Sequence, residues 1–213
     1  MAQLKELIEF VIKRQDKILE LLGEHLQMVL LALAISIVVG VIIGYFITYN
    51  KKAANLVISV CNILMTIPSL ALFVFFIPIL GIGPKPAIAG LVIYTLLPIV
   101  RNVYVGLTNI DPAIISSAQG MGMTGAHITL KVKIPLAIPV AFAGVRTSVV
   151  LGIGLGAIAA YIGAGGLGEY IFQGINRNNF NMIIIGAALI SIITIIVDKI
   201  MQFIQKRAEK LVR

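Results

Sequence analysis

Blocks of about twenty consecutive apolar residues recur along this chain, and they decide what it can fold into. A helix needs about that length to cross a hydrocarbon core of about 30 Å. Lipid offers the peptide groups no hydrogen-bond partners, so each block must be helical. Composition agrees. Of 213 residues, 59% are hydrophobic and 12% are charged, against about a quarter charged in an ordinary soluble domain. Too few polar side chains remain to coat a water-facing surface. The expected fold is all-α and integral to the membrane, with about five transmembrane helices. These fall at Leu26–Thr48, Leu56–Leu80, Ala87–Val105, Pro139–Ile162 and Met182–Phe203. Arg101 interrupts the third block; from its aqueous end the long stem can snorkel to the interface.

Lys and Arg gather on the cytoplasmic side of membrane proteins. Lys51 and Lys52 lie between the first and second spans, Lys131 and Lys133 precede the fourth, and Lys199, Lys206, Arg207, Lys210 and Arg213 lie at or after the end of the fifth. The opposite side has Lys85, Arg177 and a mixed-charge N-terminal segment. The expected topology puts the N-terminus outside and the C-terminus in the cytoplasm. The net charge of +8 then follows from topology and anionic lipid, with no nucleic-acid partner.

Three parts follow: an N-terminal amphipathic helix over residues 1–25, a transmembrane domain over 26–205 with a long cytoplasmic loop at 106–138, and a basic tail over 206–213. In the first part Leu4, Ile8, Val11, Ile12, Ile18, Leu19 and Leu22 recur at helical spacing. That helix either lies on the outer interface or packs on its neighbours. The segment has charges throughout and no cleavage site, so it is not a signal peptide. The single cysteine, Cys61, cannot form an intrachain disulfide, and no Cys/His cluster offers a metal site. His25 and His127 are expected to be interfacial polar residues.

The loop before the fourth span is long in a chain whose other loops are short, and long ordered connections are usually functional. Its sequence is Asp111-Pro112-Ala113-Ile114-Ile115-Ser116-Ser117-Ala118-Gln119-Gly120-Met121-Gly122-Met123-Thr124. Asp111 can cap a helix that has Pro112 in its first turn. Ile114, Ile115, Ala118 and Met121 supply an apolar face, and Gly120 and Gly122 either end the helix or let another backbone come close. Two readings stand: a plug for a partner's groove, or a surface loop packed on its own protein.

The same residues carry a resemblance. ABC importer permeases share a cytoplasmic signature of Glu-Ala-Ala, three residues, Gly, nine residues, and Ile-x-Leu-Pro. It is matched in spacing by Ser116-Ser117-Ala118, Gly122, Val132, Ile134 and Pro135. Ser116 stands where the family has an acid, and Ser117 replaces the first alanine. Thr66-Ile67-Pro68-Ser69-Leu70, Leu97-Pro98-Ile99-Val100-Arg101 and Ala143-Gly144-Val145-Arg146-Thr147 are similar to the osmoprotectant branch. That branch imports glycine betaine, carnitine or choline, and close relatives import ergothioneine. The resemblance implies a type I importer fold with Ser116–Thr124, Ile134 and Pro135 as the coupling segment that docks on an ATPase. It also implies partners: ABC ATPase subunits, a second permease subunit like or unlike this one, and an extracytoplasmic binding protein or domain, all at a bacterial plasma membrane. ATP and Mg belong to the ATPase; this chain is expected to bind no cofactor and has no Walker lysine motif.

Other residues are candidates for the solute path or its gates. Pro68 should kink the second span, with Thr66 and Ser69 accommodating freed carbonyls. Tyr94 and Tyr161 are the tyrosines well inside spans. Arg146 is charged about two turns into the fourth span, where it either acts in transport or snorkels. Gly163, Gly165 and Gly168 match a dinucleotide fingerprint, yet lack the preceding strand and following acid; with Gly166 they are expected to form a turn at the outer end of span four. The absence of tryptophan argues for tight recognition of quaternary ammonium on a separate protein. Rival readings are a methionine or other amino-acid importer permease, a secondary transporter, and a purely structural subunit. Against the transporter, no inverted repeat and no intramembrane acid for ion coupling are evident.

Overall fold

A computed structural model describes residues 2–210, the first five of them as backbone only. The Leu4 side chain and Arg213 lie outside the described residues. The helices are α1 (Ala2–Lys13), α2 (Gln15–Phe46), α3 (Lys51–Thr66), α4 (Ser69–Leu80), α5 (Pro84–Thr108), α6 (Pro112–Gly120), α7 (Gly125–Ile128), α8 (Ile134–Ala159), α9 (Gly168–Asn176) and α10 (Phe180–Lys210). Among the described residues there is no strand. Four helical stretches, Gln15–Tyr49, Pro84–Thr108, Gly125–Ile162 and Phe180–Lys210, are each long and apolar enough to cross a membrane. The α3–α4 pair, bent by 97°, makes a fifth crossing. It starts at Lys51, where α2 ends, and leads to Gly83, whose N–H donates to the Ile162 carbonyl at 3.2 Å. Ile162 ends the stretch that begins at Gly125. The chain therefore has a basic end, carrying Lys51, α6 and the last turns of α10, and an opposite end, carrying Gly83 and Ile162.

Three sequence expectations change. The expected boundary at residue 25 falls inside α2, which is continuous from Gln15; the chain breaks instead at Arg14 (φ −123°, ψ 18°). Ile18 and Leu21 are buried with Tyr170, Met182 and Ile185, and Phe10 meets Tyr170 edge-on at 6.2 Å. Of the two readings left open for the N-terminal helix, packing on neighbours describes these side chains. His25 is fully buried rather than interfacial. The helix that carries the fourth span starts at Gly125, so Ile134 and Pro135 lie in a helical stretch continuous with that span and the connection before it shrinks to residues 109–124.

That last change has a local cause. Proline at 135 lacks an N–H and crowds the carbonyl four residues back. The chain answers with a π-turn over Thr129–Lys133, in which the Ile134 N–H reaches back to the Thr129 carbonyl. The wider turn carries the helix across the proline without ending it.

At the centre α5 lies between α2 and α8. The small-residue pairs four apart, Gly40/Gly44 and Gly152/Gly156, allow the close approach. A Cβ on Gly44 would sit 2.7 Å from Val103 Cβ, and one on Gly156 3.1 Å from the His25 ring. Three fully buried hydroxyls join these helices. Ser36 Oγ lies 2.7 Å from Thr95 Oγ1, and Ser148 Oγ donates to the Thr95 carbonyl at 2.6 Å. In lipid an unpaired hydroxyl has no water to turn to, so each is held by another helix or its own backbone. Small polar residues inside apolar blocks were the available sequence signal for this layer.

Candidate coupling helix and solute path

The helix α6 is built from its ends. Asp111 Oδ1 accepts from the Ala113 N–H at 2.8 Å, and Pro112 occupies the first position, as the sequence suggests. At the other end the Gly122 N–H donates to the Gln119 carbonyl at 2.9 Å and the Met123 N–H to the Ala118 carbonyl at 3.1 Å. This is the paired ending that requires a left-handed residue, and Gly122 has φ +79°. Among the described residues no atom lies within 4 Å of where its Cβ would be. Of the two roles open to Gly122, the fold itself demands the first, to end the helix. Gly120, in contrast, meets nothing and keeps helical geometry.

The residues of the expected apolar face divide between two sides of the helix. Ala118 is 2% exposed and Ile115 is half-buried, so both turn inward. Met121 is 75% exposed and Ile114 42%. With Ser117, also exposed, they make an i, i+3, i+7 stripe facing away from the protomer. Ser116, Gln119 and Thr124 are exposed and Met123 is half-buried.

At the opposite end Gly163, Gly165 and Gly166 all have positive φ, +77°, +76° and +79°. The Glu24 carboxylate accepts from the Gly166 N–H at 2.9 Å. His25 lies beneath, its Nε2 3.1 Å from the Ile153 carbonyl; its Nδ1 is buried with no partner among the described residues. A Cβ on Gly168 would run into the Ala157 carbonyl. The turn is thus sealed onto α2 and α8. It follows a helix, not the strand a dinucleotide site needs.

The path candidates separate. Ile67 and Pro68 are extended (ψ 131° and 132°), so the second span breaks where a kink was expected; the residue before a proline disfavours helix. The Tyr94 hydroxyl donates to the freed Ile67 carbonyl, the task expected of Thr66 or Ser69. Thr66 instead donates to its own Ile63 carbonyl at 2.7 Å. Tyr94 is 4% exposed and serves the break. Thr66 and Pro68 are exposed and Ser69 half-buried.

Arg146 does not snorkel free. Its Nε donates to Asp198 Oδ1 at 2.7 Å and its terminal nitrogen to Oδ2 at 2.9 Å, a two-pronged pair joining α8 to α10. Gln205 Oε1 lies 3.5 Å from the other nitrogen. An acid therefore does lie within the fifth span, contrary to the sequence reading, but it neutralises an arginine. Tyr161 is 62% exposed. The broken span rests on α5, whereas the ion pair bridges α8 and α10, so one protomer does not assemble these candidates into a single closed site. Among the described residues no group of three or more His, Cys, Asp or Glu could hold a metal.

Residues 36–213 match the family described as binding-protein-dependent transport system inner membrane component. The chain belongs to that family. The permease is 41% identical over 204 residues to the glycine betaine/carnitine/choline transport system permease protein OpuCB of Bacillus subtilis (strain 168), covering 96% of this chain and 94% of that one. It is 42% identical over 169 residues to the ergothioneine transport permease/ergothioneine binding protein EgtU of Helicobacter pylori (strain G27), covering 79% of this chain and 31% of that longer protein. Among solved structures, the inward-facing MetNI methionine ABC transporter superposes with a TM-score of 0.78 at 25% identity, over 87% of this chain and 93% of that one. The fold is that of type I ABC importer permeases, and the permease is a multi-pass subunit of such an importer.

Proposed function

We propose that this permease carries betaine-type quaternary amines (glycine betaine, carnitine, choline or ergothioneine) into the cell by alternating access. ATPase subunits hydrolyse ATP with Mg outside this chain. A second permease completes the path, and an extracytoplasmic binding protein or domain delivers the solute. The observation that carries the coupling role is α6, capped at both ends and presenting Ile114, Ser117 and Met121 outward at the basic end. Short apolar helices of this kind seat in grooves of partner proteins. The substrate class rests on 41% identity to the OpuCB permease against 25% to the methionine transporter. With no tryptophan in the chain, tight recognition falls to the binding protein.

The basic end is the cytoplasmic one, because Lys51, Lys52, Lys131, Lys133, Lys206 and Arg207 gather there. Reporter tags at the two termini should therefore mark opposite compartments. Arg146, Thr66, Pro68, Ser69 and Tyr161 are the residues of this chain that meet the solute or its gates. The function is tested by assembling the complex with its ATPase and binding protein in nanodiscs. ATP hydrolysis should rise with binding protein loaded with a quaternary amine. A rise with methionine alone would overturn the substrate class.

A further inference from the structure

The Arg146–Asp198 pair is not sealed. The two side chains retain 26% and 31% of their surface and open on a cleft of 470 Å³ shared with Thr147, Val150 and Gln205. Charge facing hydrocarbon is expensive even when paired, so this side of α8 faces water or protein. The same side continues along the helix. Val140, Thr147, Gly154 and Tyr161 are seven residues apart and all exposed. Seven residues are close to two turns, so these positions form one stripe, about 21 Å long from Thr147 to Tyr161 at 1.5 Å per residue. Among the described residues nothing comes within 4 Å of a Cβ built on Gly154, midway along it.

At the outer end of the stripe the Tyr161 ring meets Phe172 of α9 edge-to-face, centroids 5.3 Å apart at 65°. Glu169 stands one turn before Phe172 on α9, its carboxylate accepting from the Gln173 amide. Two rings with a carboxylate one turn away are the chemistry that attracts a quaternary ammonium group: the ring faces carry negative potential, and the cation needs no hydrogen-bond donor or acceptor. We propose that the exposed stripe of α8 is this protomer's wall of the solute path, and that Tyr161 with Phe172 forms a cation–π subsite for the quaternary ammonium group at its outer end. The inference rests on the reading of the permease as a quaternary-amine importer. Passage needs weak, sequential holds, and one aromatic pair, with Tyr161 exposed and Phe172 half-buried, supplies a weak one.

The assembled complex in nanodiscs tests both parts, with Cys61→Ser as background. Gly154→Cys should react with a charged, membrane-impermeant thiol reagent. Reaction only with a lipid-soluble reagent would place the stripe against lipid, with Tyr161 and Phe172 as interfacial anchors, and overturn the proposal. Uptake of glycine betaine and choline per ATP hydrolysed is then compared among Tyr161→Phe, Tyr161→Leu and Phe172→Leu, at equal assembly. The ring-keeping Tyr161→Phe should stay within about twofold of the unaltered complex. Each Leu variant should lose about fivefold or more. Choline should also slow Gly154→Cys labelling, while its uncharged isostere 3,3-dimethylbutanol should not. Equal uptake in all three variants would overturn the subsite with the importer reading intact. An unaltered complex that moves no quaternary amine would instead remove the functional reading, and the subsite with it.

Discussion

The two turns that bracket the fourth span both depend on glycine, for different reasons. At the basic end Gly122 has φ +79° in open space, and its neighbours Met121 and Ile114 point away from the protomer. At the opposite end Gly165 and Gly166 have the same backbone geometry, but α2 is packed directly on them through Glu24 and His25. The first turn shapes a surface that its own chain leaves bare. The second closes a joint inside the chain. A glycine-rich signature thus shows that a backbone must turn; only the neighbours show whether the turn serves another molecule or the fold.

Substitutions can break this contrast. The largest effect is expected at Gly168→Ala, where the added carbon meets the Ala157 carbonyl. Destabilisation should reach the upper end of the overpacking range, about 3 kcal/mol, read as a lower Tm of the purified permease and poor recovery from the membrane. Gly166→Ala combines a positive φ with a Cβ 3.1 Å from His25 and should cost about 2 kcal/mol by the same measurement. Gly122→Leu pays only the backbone term, about 1–2 kcal/mol, confined to the last turn of α6. The permease should keep its Tm within a few degrees yet retain several-fold less ATPase on copurification. Gly120→Ala sets the baseline: with helical geometry and no neighbour, it should leave Tm unchanged or slightly raised. If Gly122→Leu lowered Tm as much as Gly166→Ala, the contrast between the two turns would be lost.

Much of the fold was legible because hydropathy and length report the solvent directly. Asp111 and Pro112 announced the start of α6 through local hydrogen bonding, and Gly40/Gly44 and Gly152/Gly156, spaced four apart, announced the close helix contacts. What escaped the sequence depends on partners distant along the chain. The 97° break needs the Tyr94 hydroxyl from α5 to take the Ile67 carbonyl, so Pro68 alone suggested only a kink. His25 looked like an interfacial residue until Ile153 and Gly166 enclosed it. Asp198 sits beside Lys199 near the end of a span, where charge reads as a boundary, and its pairing with Arg146 spans 52 residues. The inward side of α6 could not be read from a nine-residue helix, because apolar residues lie on more than one of its sides.

The central claim, that α6 presents an ATPase-docking face at the cytoplasmic end, is tested most directly by site-specific crosslinking. Single cysteines at Met121 and Ala118, in a Cys61→Ser background, are scanned against cysteines across the ATPase surface in the assembled complex. Met121→Cys, on the bare stripe, should crosslink at a cluster of ATPase positions and change yield when ATP is bound. Ala118→Cys, turned inward at 2% exposure, should not crosslink. If Met121→Cys crosslinks to no ATPase position while reacting freely with soluble thiol reagents, α6 is an unoccupied surface helix and the docking assignment is wrong.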